Sequence, residues 1–207
     1  MRHPVHYGLA MLIGMACYGE AVGQAKRERP SIRQGNLKDG DMAPEFSLKD
    51  TEGKQEVKLA DLKGKPVVLI FGSCTCPPFV SSTQETDKLF KKYQGKAHFY
   101  LVYIREAHPT DGRAIAGNQF QVKSPTSVAE RQAVAKQFAE RLKVSIPILV
   151  DTIDDQVETS YSCWPNRMYI LDAQGKIVDK GLASPRGVAS SAQRASTLLD
   201  KLLSSAP

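Results

Sequence analysis

Several classes of protein are excluded by what this 207-residue sequence has little of. Its formal net charge is only +6, and its basic residues are interleaved with acidic ones except in the cluster Lys26, Arg27 and Arg29. Nucleic-acid binding favours a stripe of cations with base-reading partners, so we interpret this cluster as a solvated tail and predict no nucleic-acid partner. The chain has no internal repeat and no low-complexity segment. Its 42% hydrophobic content suffices for one globular domain.

The sequence also has no apolar run long enough to span a bilayer comfortably. The stretch YGLAMLIGMAC (7–17) is shorter than the roughly 20 residues that a transmembrane helix needs. It follows Arg2 and His3 and precedes the small residues of GEAVGQA, the order of an export signal that is cleaved near Ala25. We therefore predict an exported, periplasmic or extracellular protein. The alternatives are a retained membrane or lipid anchor at this segment and a cytosolic chain with a disordered start.

The predicted organisation has three parts: a signal peptide over 1–25, a flexible linker over 26–41 and a globular domain over 42–207.

Cysteine is scarce, with four residues in the chain. If Cys17 leaves with the signal, an odd number remains in a compartment that oxidises thiols, so at least one should be free or transiently paired. Two of the remaining three stand one residue apart in FGSCTCPPF (71–79). This arrangement suits redox chemistry better than a structural disulfide.

The order of predicted elements indicates an α/β protein with a thioredoxin-like fold, a central mixed β-sheet flanked by helices. Continuous β-branched runs are typical of buried strands, and apolar residues at helical spacing follow the first of them. The predicted strands are a hairpin extension over 46–59 and runs at 66–71, 98–104, 146–151, 167–172 and 176–181. The predicted helices follow the double proline at 77–78 and the Ser127–Glu130 capping box, and a closing helix carries an apolar stripe from Val188 to Leu202. A long inserted loop is expected around 105–126.

Cys76 stands where the first central strand gives way to a helix. It immediately precedes Pro77, and proline is favoured at the first helical position. Cys76 should therefore cap the helix, where unpaired N–H groups and the positive end of the helix dipole favour a thiolate. We expect its sulfur to be exposed and largely ionised near neutral pH. A pair of small buried hydrophobic residues is the structural alternative.

Three long segments of the sequence resemble one protein family. FGSCTCPPF is similar to the active-site stretch of the iodothyronine deiodinases, in which selenocysteine usually stands at the position of Cys76. LVYIREAHPTDG (101–112) and YSCWPNRMYI (161–170) resemble further segments of that family. With the helix AERQAVAKQFAERL, the resemblance covers about residues 42–182. It implies reductive removal of iodide from an aryl iodide, in which Cys76 attacks the halogen and an external thiol reduces the sulfenyl-iodide-like product.

The sequence also departs from the family. Sulfur replaces selenium at position 76, the segment NQFQVKSPTS lacks a histidine that animal members carry, and Arg113 stands where tryptophan is common. We therefore expect the family's reaction type without assigning the hormone as substrate. A thiolate can also attack a disulfide or a peroxide, so the substrate is a small molecule or a thiol compound. We predict no cofactor and no metal; the oligomeric state stays open.

Two further cysteines are candidates for resolving oxidised Cys76. The family often has a cysteine at the position of Cys74, and a disulfide between residues i and i+2 is strained and easily reduced. Cys163 precedes Trp164-Pro165, where thioredoxin-like proteins place a cis-proline against the active thiol. Cys163 is therefore either an alternative resolver or a buried spectator.

Acid–base and substrate-binding roles are assigned to four residues. His108 would deliver a proton or polarise a substrate oxygen, and Glu106 would orient it. Arg167 would steady the thiolate and, with Pro165, contribute to substrate binding. A solvated loop position for His108 and surface positions for Glu106 and Arg167 are the alternatives.

Two other functions remain open from the sequence. In a peroxiredoxin-type peroxidase Ser73 would stand at the right distance before Cys76, but Leu69 replaces the usual upstream proline. Alternatively, Cys74, Cys76 and His108 could hold Cu(I) in a protein that is not an enzyme. A thioredoxin-type reductase is disfavoured because Phe79 stands where a second cysteine would be required.

Overall fold

The computed structural model describes Met1, residues 32–184 and residues 186–205. The chain divides into two units, 1–30 and 31–207. Apart from Met1, the predicted signal peptide lies outside the described residues, and its cleavage stays a prediction. In the described part of the chain, no helix combines the length and the apolar character needed to cross a membrane.

Within the described residues, seven strands form one mixed sheet in the order β2-β1-β5-β4-β3-β6-β7. The strands are β1 (Ser47–Asp50), β2 (Glu56–Lys58), β3 (Val67–Gly72), β4 (His98–Tyr103), β5 (Ile148–Val150), β6 (Arg167–Leu171) and β7 (Ile177–Lys180). The helices are α1 (Pro77–Tyr93), α2 (Val128–Leu142), α3 (Gln156–Tyr161) and α4 (Gly187–Ser204), with a short 3-10 helix at Leu59–Leu62. Helix α1 packs along α4, and α2 packs beside β5.

Strand β3 is the centre of the sheet. Every residue of Val67–Gly72 is buried, as its continuous apolar run predicts. It pairs parallel with β4 and antiparallel with β6. The segment that follows β3 therefore lies between the end of β4 and the beginning of β6.

The predicted hairpin and helix starts are confirmed. Strands β1 and β2 pair antiparallel, and Gly53 in their turn has φ of +69°, a conformation that glycine adopts without a Cβ penalty. At the start of α2, the Ser127 hydroxyl accepts a bond from the Glu130 N–H at 3.2 Å. The Glu130 carboxylate in turn accepts from the Thr126 N–H, one residue earlier than the usual capping box provides.

Helix α3 was not predicted. Asp155 precedes it with φ of +58° and makes no side-chain cap. Its first turn is instead bound by Asp151 at the end of β5, whose carboxylate accepts from the N–H groups of Val157 and Glu158 at 3.1 and 2.9 Å. This cap comes from six and seven residues upstream, so no local capping motif marks it.

Two segments without regular structure are attached to the domain. The predicted inserted loop is confirmed, since residues 104–127 contain no helix or strand; within it, the Thr110 N–H donates to the Val122 carbonyl at 2.8 Å. The described part of the predicted linker, residues 32–41, lies along β7. There the Asp39 carboxylate accepts from the Lys180 N–H at 2.7 Å, and the Gly40 N–H donates to the Ile177 carbonyl at 2.8 Å.

Candidate active site

Cys76 is the N-cap residue of α1, as the sequence predicts. Its own N–H donates to the Ser73 carbonyl at 3.1 Å, which closes the turn after β3. Pro77 and Pro78 occupy the first two helical positions and carry no N–H, so Phe79 is the first residue of α1 with a backbone donor to offer. Burial raises the pKa of the Cys76 thiol, and the Phe79 N–H opposes this rise, as expected at a helix start.

The expectation that the Cys76 sulfur is exposed and largely ionised is wrong in the conformation described. The residue is only 2% exposed. Burial raises the pKa of its thiol and outweighs the opposing effects of the Phe79 N–H and the Asn166 amide. The sequence predicts exposure from the helix end alone. In the structure the inserted loop is also hydrogen-bonded to Ser73 and Thr75, just before Cys76. The resting form is therefore a protonated thiol.

A buried carboxyl group lies beside the two cysteines. Glu106 is 7% exposed, and its carboxyl accepts from the Thr75 hydroxyl and the Tyr103 hydroxyl at 2.5 Å each, and from the Thr75 N–H at 3.2 Å. Burial raises the pKa of Glu106, although these bonds oppose the rise. The sequence predicts that Glu106 orients His108. In the structure its carboxyl instead binds Thr75, the residue between the two cysteines.

Cys74 belongs to the same buried group. Its sulfur lies 3.8 Å from a Glu106 carboxyl oxygen, and its N–H donates to the Tyr103 hydroxyl at 3.1 Å. Burial and the charge of Glu106 raise the pKa of Cys74 far above its ordinary value. The thiol is free and stays protonated in this environment.

Besides Glu106, three residues of the inserted loop contact the cysteine segment. The Ala107 N–H donates to the Ser73 hydroxyl at 3.2 Å, the His108 N–H to the Thr75 hydroxyl at 3.1 Å, and the Asn118 side-chain amide to the Thr75 carbonyl at 2.9 Å. The half-buried His108 ring has Nδ1 at 3.1 Å from the Arg113 carbonyl. A ring protonated on Nδ1 donates this bond and leaves Nε2 as the free acceptor.

The segment before β6 contains the remaining predicted residues. The Trp164-Pro165 bond is cis, as expected. Cys163 is a free, fully buried thiol whose sulfur lies 3.6 Å from the Glu158 carbonyl, and burial raises its pKa. Arg167 is neither on the surface nor bonded to the Cys76 sulfur. Its guanidinium donates to the Gln34 carbonyl at 3.0 Å and to the Gln34 side chain at 2.7 Å.

Sequence reasoning missed Asn166. Its fully buried side chain donates from Nδ2 to the Cys76 sulfur at 3.3 Å. The only sequence signal is its position directly after Pro165, where residues of this fold approach the active thiol. Its contact crosses 90 residues of chain, so no local pattern reveals it.

The arrangement does not fit a Cu(I) site. Cys74 contacts Glu106, Cys76 contacts Asn166, and the His108 ring contacts Arg113, so these predicted ligands have separate partners. Among residues 32–184 and 186–205 no group of three or more His, Cys, Asp or Glu residues is placed to hold a metal ion.

The comparisons with known proteins converge on one family. Residues 28–202 match the family model described as iodothyronine deiodinase. The type I iodothyronine deiodinase of Xenopus laevis is 37% identical over 149 residues, which is 72% of this chain and 58% of that protein. The thyroxine 5-deiodinase of Ovis aries is 30% identical over 151 residues, or 72% and 51% of the two chains. The chain thus spans about half the length of the curated relatives it matches.

Solved structures confirm the predicted thioredoxin-like fold. A putative thiol:disulfide interchange protein DsbE from Chlorobium tepidum superposes with a TM-score of 0.57 at 20% identity, covering 79% of this chain and 99% of that one. An uncharacterized conserved protein from Geobacillus kaustophilus gives 0.59 at 23% identity, covering 82% and 84%.

Proposed function

This chain belongs to the iodothyronine deiodinase family, and from that membership we propose that it is a thiol-dependent oxidoreductase in which Cys76 removes iodide from an aryl iodide. The observation that chiefly supports the proposal is the position of the Cys76 sulfur. It lies at the start of α1, between the first free helix N–H and the Asn166 amide. Both donors stabilise a thiolate, the nucleophilic form of cysteine.

The reaction balances with two equivalents of an external thiol. The Cys76 thiolate attacks iodine, so that a sulfur–iodine bond forms while the carbon–iodine bond breaks. The electron pair of the broken bond goes to the ring carbon, which takes up a proton. An external thiol then attacks the sulfenyl iodide, which releases iodide and forms a mixed disulfide. A second thiol restores Cys76 and leaves as a disulfide.

The buried carboxyl network supplies a proton in this scheme. Because burial raises the pKa of Glu106, its carboxyl retains a proton more readily than an exposed one. The Thr75 hydroxyl bonds to that carboxyl, and Thr75 precedes Cys76 directly in the chain, so Glu106 is held beside the cysteine segment. His108 Nε2 is free to contact a phenolic oxygen of the substrate.

We infer that the inserted loop moves when the substrate reaches the sulfur, because this loop is bonded to the residues just before Cys76. Five hydrogen bonds join the loop to Ser73 and Thr75, and Cys76 is buried in this conformation. We propose that substrate binding displaces this loop. Exposure then reduces the desolvation that raises the pKa of the thiol, and the thiolate forms when the substrate is present.

An external thiol is the simplest resolver of oxidised Cys76. The Cys74 sulfur contacts Glu106, which follows β4, and the Cys76 sulfur contacts Asn166, which precedes β6. These strands flank β3 on opposite sides. A Cys74–Cys76 disulfide therefore needs a rearrangement of Thr75, which makes four hydrogen bonds. Resolution by Cys74 or Cys163 is the intramolecular alternative.

The test is a comparison of single-turnover rates. The reduced protein is offered an iodophenol, hydrogen peroxide and a model disulfide, and the Cys76→Ser variant is measured in parallel. We expect iodide release from the iodophenol that disappears in Cys76→Ser and persists in the matched control Cys163→Ser. Reaction with peroxide alone would replace the proposal with the peroxidase alternative.

A further inference from the structure

Asn166 uses both polar atoms of its side chain. The carbonyl oxygen Oδ1 accepts from the Val188 N–H at 3.1 Å, and the amino nitrogen Nδ2 donates to the Cys76 sulfur at 3.3 Å. The side chain is fully buried, so solvent does not compete for either bond. Asn166 thus links the starts of two helices, α4 and α1.

These contacts determine the orientation of the amide. A backbone N–H can only donate, so the oxygen of Asn166 must face Val188 and the amino group must face the sulfur. Val188 is the second residue of α4, an 18-residue helix, and its N–H is one of those without a partner inside the helix. The amide therefore transmits the donor character of the α4 start to Cys76.

The close approach of α4 to Asn166 depends on Gly187. A Cβ atom at this position would lie 2.1 Å from the main-chain oxygen of Leu182, 2.9 Å from the main-chain oxygen of Asn166 and 3.3 Å from its side-chain Oδ1. Only glycine fits without displacing this backbone. Glycine at the first position of α4 thus leaves room for the hydrogen bond between the Val188 N–H and the Asn166 side chain.

Few hydrogen-bond donors other than the Asn166 amide act on the Cys76 sulfur. Because α1 begins with two prolines, its first turn has fewer N–H groups than an ordinary helix start. Burial is the main effect that raises the pKa of Cys76, and the Glu106 carboxyl raises it further when it is ionised. The described groups that lower this pKa are two neutral donors, the Phe79 N–H and the Asn166 amide.

We propose that Asn166 is a catalytic residue of the Cys76 reaction: its amide donates the hydrogen bond that stabilises the sulfur as a thiolate, and the Val188 N–H fixes the amide in that orientation. The catalytic part rests on the proposed function. The effect on thiol ionisation does not, because it can be measured without substrate.

Two variants test this role. Asn166→Asp keeps an oxygen acceptor for Val188 and replaces the amino donor with a second carboxyl oxygen. Asn166→Leu removes the donor without adding charge. Asn36→Asp, at an exposed position outside the site, is the control for the added charge. Ionisation of Cys76 is followed by ultraviolet thiolate absorbance against pH, with the Cys76→Ser form of each protein subtracted.

At a given pH on the rising part of the titration, we expect the thiolate fraction of Cys76 in both variants to be at least about tenfold lower than in the parent. The reason is that a hydrogen bond to a charged group is lost. The apparent kcat/KM for iodide release should fall by a similar factor at neutral pH and recover at higher pH. Asn36→Asp should match the parent. If either folded Asn166 variant ionises Cys76 as the parent does, the proposal is overturned.

The two proposals fail in different ways. A shifted thiol titration in a protein that releases no iodide overturns the proposed function and supports the hydrogen bond to the thiolate. An unshifted titration in a protein that releases iodide overturns the role of Asn166 alone. Thermal unfolding followed by circular dichroism identifies any variant that does not fold, and the other variant then decides.

Discussion

Replacing Thr75 with valine removes one hydroxyl group and almost nothing else. That hydroxyl donates to the Glu106 carboxyl at 2.5 Å and accepts from the His108 N–H at 3.1 Å. Thr75 is fully buried, so water cannot replace the lost partner. In Thr75→Val the His108 N–H loses its acceptor, and the Glu106 oxygen retains the Thr75 N–H at 3.2 Å and the longer contact with the Cys74 sulfur at 3.8 Å.

The magnitude follows from these two lost bonds. A buried polar group left without a partner costs about 1–3 kcal/mol. Two such groups, one of them still partly satisfied, give a loss of about 3 kcal/mol in the free energy of unfolding. For a domain of this size that corresponds to a fall in Tm of roughly 6–12 °C. The rate of iodide release should fall as well, because the hydroxyl connects Glu106 with the cysteine segment.

The assay is urea unfolding followed by circular dichroism, with Thr75→Ser as the matched control. Serine keeps the hydroxyl and loses only a methyl group, so its free energy of unfolding should lie within about 1.5 kcal/mol of the parent. An unfolding midpoint for Thr75→Val equal to that of the parent, with the same m value, would refute the reasoning about this network.

Three further predictions follow from other parts of the molecule. Gly72→Ala should destabilise the protein by about 1–3 kcal/mol in urea unfolding, because the new Cβ would lie 2.3 Å from the Phe79 ring; an unchanged midpoint would show that the ring moves freely. Burial raises the pKa of Glu158 from 4.5 to about 7, so the folded state holds a proton that the unfolded state has released. The free energy of unfolding should therefore fall by up to about 3 kcal/mol as pH rises from 4.5 to 7, and Glu158→Gln should flatten this part of the pH profile; a slope that persists in the variant would assign it to another group. Sequencing of the mature amino terminus should begin near residue 26, whereas an intact Met1 in a soluble fraction would contradict export.

The parts of the fold that local sequence determines were predictable. The run PVVLIF (66–71) predicts a buried central strand because it is apolar without alternation, and β3 has that burial. Pro77 predicts the start of α1, and the Ser127–Glu130 pair predicts the start of α2. Each signal concerns residues within one turn or one strand, where local sterics and hydrogen bonding decide the outcome.

The chemistry of the site depends on contacts between distant segments. The burial of Cys76 accompanies contacts of its segment with the inserted loop and with Asn166, about 30 to 90 residues away. Glu106 binds Thr75 rather than His108 for the same reason: the end of β4 lies beside the end of β3. Arg167 contacts Gln34 across 133 residues. A single sequence indicates the reacting residue types but not these partners.

The central claim is that the Cys76 sulfur is the atom that attacks the substrate. It is tested most directly by locating the mixed disulfide that remains when the reduced protein turns over an iodophenol with a single equivalent of external thiol. Fragmentation of the peptide that contains both cysteines distinguishes Cys74 from Cys76. The account predicts the thiol adduct on Cys76, formed together with one released iodide. Iodide release with the adduct on Cys74 or Cys163, or with all three thiols unmodified, would contradict it.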